Sequence, residues 1–169
     1  MERISDKDLE IVSKQLKRKV DNVLNVCHRC SFGFPVVILS YPVRDGVPFP
    51  TIHYLTCPYL TKEISRLEEK GLIEDFENSI KFDEKLRNAY QNAHREVIDK
   101  RLLLLSKEDE KWRDVLSKVG TGGIRDFSTV KCLHLHVADY LAGINNPVGK
   151  KVYESLNQKE CSDSFCSRL

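Results

Sequence analysis

Residues 45–60 read DGVPFPTIHYLTCPYL, and within them the chain changes its periodicity. Asp45-Gly46 with Pro48 and Pro50 punctuate a turn that leads into the extended run Thr51–Leu55. Pro58 then opens a segment in which Leu60, Ile64 and Leu67 recur at helical spacing. Upstream lie two short β-branched runs, Val23–Val26 and Pro35–Leu39, bounded by SFGF and YPVRDGVPFP. Downstream the apolar spacing stays helical. The expected fold class is therefore α+β, with a small, antiparallel, N-terminal sheet of about three strands packed by a mainly helical C-terminal two-thirds.

The helices can be placed from their stripes. Leu9, Val12, Leu16 and Val20 follow Ser5, an N-cap with Asp8 three residues on, so residues 5 to about 20 read as an amphipathic helix. Gly71 stops the helix that Pro58 starts. A longer helix is expected over 82–105 with Leu86, Tyr90, Ala93 and Val97 inward, and a charged one over 108–118 around Trp112. After VGTGGIRDF, Ser128 or Thr129 is placed to cap a helix reaching about Ala142. Only Lys131 and Asp139 are charged along it, which marks it as central and buried. Asn146-Pro147 starts a last short helix. No repeat or linker divides residues 1–156, read as one domain, and residues 157–169 form a polar tail whose composition predicts fraying.

A chain of 169 residues buries one core comfortably. Its 27 Lys and Arg against 25 Asp and Glu leave no basic footprint, so no nucleic acid partner is expected. The N-terminal residues lack the apolar core of a secretory signal. Apolar runs such as Leu102–Leu105 and Phe34–Leu39 fall far short of the roughly 20 residues a bilayer requires, so no membrane insertion and a cytoplasmic location are expected. In a reducing compartment six cysteines point to metal ligands, redox groups or small buried hydrophobes rather than disulfides.

Three of the cysteines sit in unusual surroundings: Cys30 in HRCSFGFP, Cys57 in TIHYLTCPYL and Cys132 in VKCLHLH, which also carries His134 and His136. Together with DGVPFP, RLEEKG, GTGGI and NNPVG, these stretches resemble an uncharacterised bacterial family, domain of unknown function 501, over roughly residues 20–150. The resemblance implies no activity. It matches Cys30, Cys57, Cys132 and His134 to the family pattern, with Arg29, Gly33, Pro35, Pro50, Pro58, Lys131 and Asn146-Pro147. It also implies departures: Cys27 stands where a small residue is usual, Phe32 where many members carry cysteine, and Asp139 where histidine is common. Members are often encoded beside an exopolyphosphatase-like protein and a division-initiator protein, which implies a link to phosphate or envelope metabolism.

Thiolate and imidazole suit zinc or an iron–sulfur cluster. The expected metal ligands are Cys30, Cys57, Cys132 and His134, with His136 the alternative fourth. Residues two apart on a continuous helix point about 200° apart, so Cys132 and His134 converge only if Cys132 precedes the first regular turn, whereas Cys132 and His136 share a face. The resemblance favours His134. The competing reading is that these cysteines are buried packing residues, and His53, His28 and His94 carry weaker claims to ligation.

Gly122 and Gly123, supplemented by Arg29 and Lys131, form a candidate anion-binding set, although the lysine and hydroxyl of a Walker sequence are missing and a tight turn is the competing reading. The expected function is a Cys/His metal-site protein with a possible catalytic role. The alternatives are a non-enzymatic module that docks a protein partner and, more weakly, a binder of a small phosphorylated ligand.

Overall fold

The computed structural model describes residues 3–169. Ser5 caps the first helix, α1 (Asp6–Leu16), by accepting from the Asp8 amide at 3.1 Å. The helix ends sooner than its apolar stripe, because Lys17 adopts a left-handed conformation. Three strands follow in the order β1 (Val23–Arg29), β2 (Pro35–Ser40) and, at the far edge, β5 (His53–Leu55), all antiparallel. Every residue of the central β2 is buried. Ile38 packs with Val12 of α1 and with Val20 beyond that helix, while Val37 and Leu39 face the helices on the other side.

The turn segment holds more structure than its prolines announce. Val43–Arg44 (β3) and Val47–Pro48 (β4) pair antiparallel across Asp45-Gly46, whose φ of 52° and 73° give the mirror-image turn that matches strand twist. Two-residue strands are too short to display an alternation.

Helices build the rest: α2 (Pro58–Glu69), α3 (Leu72–Phe82), α4 (Glu84–Leu103), α5 (Arg113–Ser117), α6 (Leu133–Leu141) and α7 (Pro147–Ser155). Leu86, Tyr90, Ala93 and Val97 are the buried stripe of α4, as their spacing predicts. The helix expected over 108–118 is instead a 3₁₀ stretch, Lys107–Trp112, and the short α5. Arg101 accounts for where α5 stops. Fully buried, it donates to the carbonyls of Pro50, Leu116, Val119 and Gly120 at 2.6–2.8 Å, so those oxygens are withdrawn from helical pairing.

The buried α6 also departs from expectation. It begins at Leu133, not after Ser128 or Thr129. The Thr129 carbonyl accepts from Tyr90, the Val130 carbonyl from His136, and the Val130 amide donates to Glu77, so tertiary partners satisfy the groups that a longer helix would use. Residues 157–169 return to the surface of the domain. Tyr59 donates to the Gln158 carbonyl, Ser31 donates its amide and hydroxyl to Glu160, and Lys14 reaches the Leu169 carbonyl. No helix among the described residues is long and apolar enough to cross a membrane.

The crossing of α6 and α7 is closed at Gly149. At an exposed helical position alanine is better than glycine by about 1 kcal/mol. Here an added Cβ would lie 1.9 Å from the His136 carbonyl oxygen and 2.9 Å from Tyr140 Cβ, which forces the helices apart at a cost of about 3 kcal/mol. Gly149→Ala should therefore destabilise the protein by about 2 kcal/mol, measured as a lower denaturant midpoint at unchanged slope.

Candidate functional site

The late start of α6 leaves Cys132 in extended backbone, φ −153° and ψ 148°, immediately before the helix. That placement is the condition under which Cys132 and His134 point the same way. Glu68, in the last turn of α2, joins them: the Cys132 sulfur, a His134 nitrogen and a Glu68 oxygen all lie within 4.8 Å of one another. Glu68 accepts from the Leu133 amide at 2.7 Å and faces His134 Nδ1 at 3.0 Å, so one carboxylate both caps α6 and orients the ring. His134 Nε2 lies 3.0 Å from the Thr61 carbonyl and 3.2 Å from the Ser65 hydroxyl. Burial pushes the imidazole pKa down, but the Cys132 side chain, the Thr61 carbonyl and the Glu68 charge outweigh it and hold the value up at about 9. Glu68 falls in the RLEEKG stretch, and that stretch was its only signal in the sequence.

The expected ligand set Cys30, Cys57, Cys132 and His134 divides between the two ends of α2. Cys57 is the N-cap of that helix and Glu68 lies in its last turn, a separation of about 16 Å at the helical rise. Cys30 and Cys57 line a different cavity. Burial lifts the Cys57 thiol to about 11, against the lowering effect of the nearby Leu60 and Tyr59 backbone. His136, the alternative ligand, is fully buried, and both its nitrogens are engaged: Nε2 donates to the Val130 carbonyl at 2.8 Å and Nδ1 accepts from Asn146 at 2.9 Å. Cys27 packs between two parts of the core and is absent from the lining that holds Cys30 and Cys57.

Residues 26–154 match the family described as Protein of unknown function (DUF501). The chain belongs to the DUF501 family. No curated protein and no solved structure matches it. The DUF501 segment contains Glu68, Cys132 and His134 entire, together with Cys30 and Cys57, whereas Cys161 and Cys166 lie beyond it.

The candidate anion set of this DUF501 chain also divides. Arg29 makes a two-pronged pair with Asp8 of α1, 2.8 Å on each arm, and donates to the Gly33 carbonyl. Lys131 donates to the Gly122 carbonyl at 2.7 Å. Gly122 and Gly123 take φ of 58° and 79°, and the amides of Gly120, Thr121, Gly123 and Ile124 are paired within the protein, to Ile124, His94, Gly120 and Thr121 respectively. The geometry is that of a tight turn.

Beneath this turn lies a buried polar cluster. His53 Nδ1 donates to Asp139 at 2.7 Å, Thr121 donates its hydroxyl to the other Asp139 oxygen, and the Thr121 amide donates to His94 Nδ1. Asp139 thus ties α6 to the sheet edge and to the glycine turn. His94 stacks on Phe127, with ring centroids 4.3 Å apart.

Burial, then the neighbouring His136, depress His94 to about 4. The unfolded chain takes up this proton near pH 6.5 and the native protein refuses it until about pH 4. The neutral ring thus contributes stability that is fully present above pH 6.5 and is lost as pH falls toward 4, about 3 kcal/mol in all. His94→Gln keeps an acceptor for the Thr121 amide and does not titrate. Its unfolding free energy should fall less steeply than that of wild type between these two pH values, as read from denaturant titrations.

Proposed function

We propose that Cys132, His134 and Glu68 hold a zinc ion and that the protein acts as a zinc protein with one coordination position left to water or substrate. The observation that carries this reading is the convergence of three different donors, from two helices, within 4.8 Å. Thiolate, imidazole and carboxylate are the donors zinc accepts, and three protein ligands are the pattern of a site that keeps a place open for chemistry. The sulfur weighs against magnesium or calcium, and the mixed donor set weighs against an iron–sulfur cluster, which takes mainly thiolates. All three side chains are half-buried, so the fourth position is reachable from solvent. An ion there supplies Lewis acidity and lowers the pKa of bound water toward about 7. The Thr61 carbonyl and the Ser65 hydroxyl, both facing Nε2, fix the ring.

One observation favours a second reading. Both nitrogens of His134 face oxygen acceptors, an environment for the doubly protonated ring. Beside such an imidazolium, and at the amino end of α6, Cys132 is placed to act as a nucleophile without any metal.

Elemental analysis joined to thiol alkylation separates the two. On the zinc reading, Cys132→Ser or His134→Ala contains one zinc per chain fewer than wild type, Glu68→Gln binds at least about tenfold more weakly, and zinc shields Cys132 from iodoacetamide. Unchanged zinc content in all three variants rejects that reading. If Cys132 is then the fastest thiol to alkylate at pH 7, and slows in His134→Ala, the nucleophile takes its place. With neither result, Cys132 is a packing residue and the protein-docking alternative stands.

A further inference from the structure

The cavity at the other end of α2 is lined by four cysteines. Cys30 follows β1, Cys57 caps α2, and Cys161 and Cys166 come from the polar stretch beyond the DUF501 segment. Residues as distant as these meet only because residues 157–169 fold back over α1, the β1–β2 turn and α2. We infer that Cys30, Cys57, Cys161 and Cys166 form a second, closed zinc site that fastens residues 157–169 to the sheet and to the start of α2.

The surroundings are those of a metal–thiolate site. Cys57 is the N-cap residue of α2, which places it at the positive end of that helix. Gln15, a buried residue of α1, donates from Nε2 to the Cys166 sulfur at 3.3 Å. Amide donors aimed at sulfur stabilise thiolate charge and hold ligands in place. The only acidic side chain on the lining, Glu160, is engaged by the amide and hydroxyl of Ser31. The four sulfurs share the lining with apolar side chains, Ser164 and the Gln15 amide, whose oxygen is buried without a partner, and four thiolates are a donor set selective for zinc among closed structural sites.

Size decides between an ion and a cluster. The cavity measures about 10 Å³, room for one water-sized atom. A single ion is the metal centre nearest to that size. The sulfurs are more loosely grouped than the donors of the Cys132 site, the one group among the described residues that converges within 4.8 Å, so coordination draws them inward by rotamer changes. Binding releases one proton from each thiol to solvent and involves no change of oxidation state. The inference stands apart from the Cys132 site, whose loss leaves it intact.

The test is zinc stoichiometry on the full chain, expressed with added zinc, for wild type, Cys132→Ser and the double variant Cys161→Ser/Cys166→Ser. The double variant should lose one zinc per chain in either background, wild type or Cys132→Ser. Since a serine pair can misfold, cobalt is also loaded into Cys132→Ser protein, where an intense sulfur-to-cobalt charge-transfer band reports a tetrahedral thiolate site. Trypsin should cut after Lys159 only when the metal has been chelated. Zinc content unchanged in the double variant, absence of the cobalt band, equal cleavage with and without metal, or iron with acid-labile sulfide in place of zinc each overturns the assignment.

Discussion

A single imidazole sets the arrangement on which both helices at the centre of the molecule depend. His136, with no exposed surface, donates to the carbonyl of Val130 and accepts from the side chain of Asn146. The first bond keeps residues 130–132 out of α6. The second orients the Asn146 side chain, which caps α7 by accepting from the Gly149 amide at 2.9 Å. With a donor on one nitrogen and an acceptor on the other, the ring serves both partners only in its neutral form, and burial keeps it neutral. An apolar side chain of equal size would leave the Val130 carbonyl and the Asn146 amide unpaired in the core, at about 1–3 kcal/mol for each group.

From this constraint the placement of the chemistry follows. Were α6 to start three residues earlier, Cys132 and His134 would lie on different sides of a regular helix and could not meet Glu68. Extended backbone at Cys132, followed at once by helix, turns both side chains toward the last turn of α2. That helix is the common ruler of the molecule: its carboxyl-terminal turn contributes Glu68 to one constellation and its amino-terminal cap contributes Cys57 to the other. Their separation along a rigid rod keeps the two sets of side chains apart.

What could be read in advance was what short-range pattern encodes. The β-branched run of β2, the change to a 3.6-residue period after Pro58 and the caps at Ser5 and Asn146 specify elements locally, and the structure has them. The pairing of Cys132 with His134 was legible only as a condition on where the helix begins, because that beginning is decided by His136, Tyr90 and Glu77 through contacts between elements. Glu68 had no local mark beyond its motif, since its role arises from the docking of α2 on α6. The polar composition of residues 157–169 pointed to fraying and concealed two half-buried thiols, whose burial comes from surfaces supplied by α1, α2 and the β1–β2 turn. Asp45-Gly46 did carry a hairpin signal, muted by flanking strands of only two residues.

The return of residues 157–169 also bears on the order in which the structure assembles. Gln15 and Cys166 are 151 residues apart in sequence, and Lys14 and Leu169 are 155 apart. Contacts of such range form only after the intervening elements have shortened the effective loop, so they belong to the final stage of folding and to the first stage of opening. The segment behaves as a latch with its own local equilibrium, able to release while the core of α4, α6 and β2 stays intact.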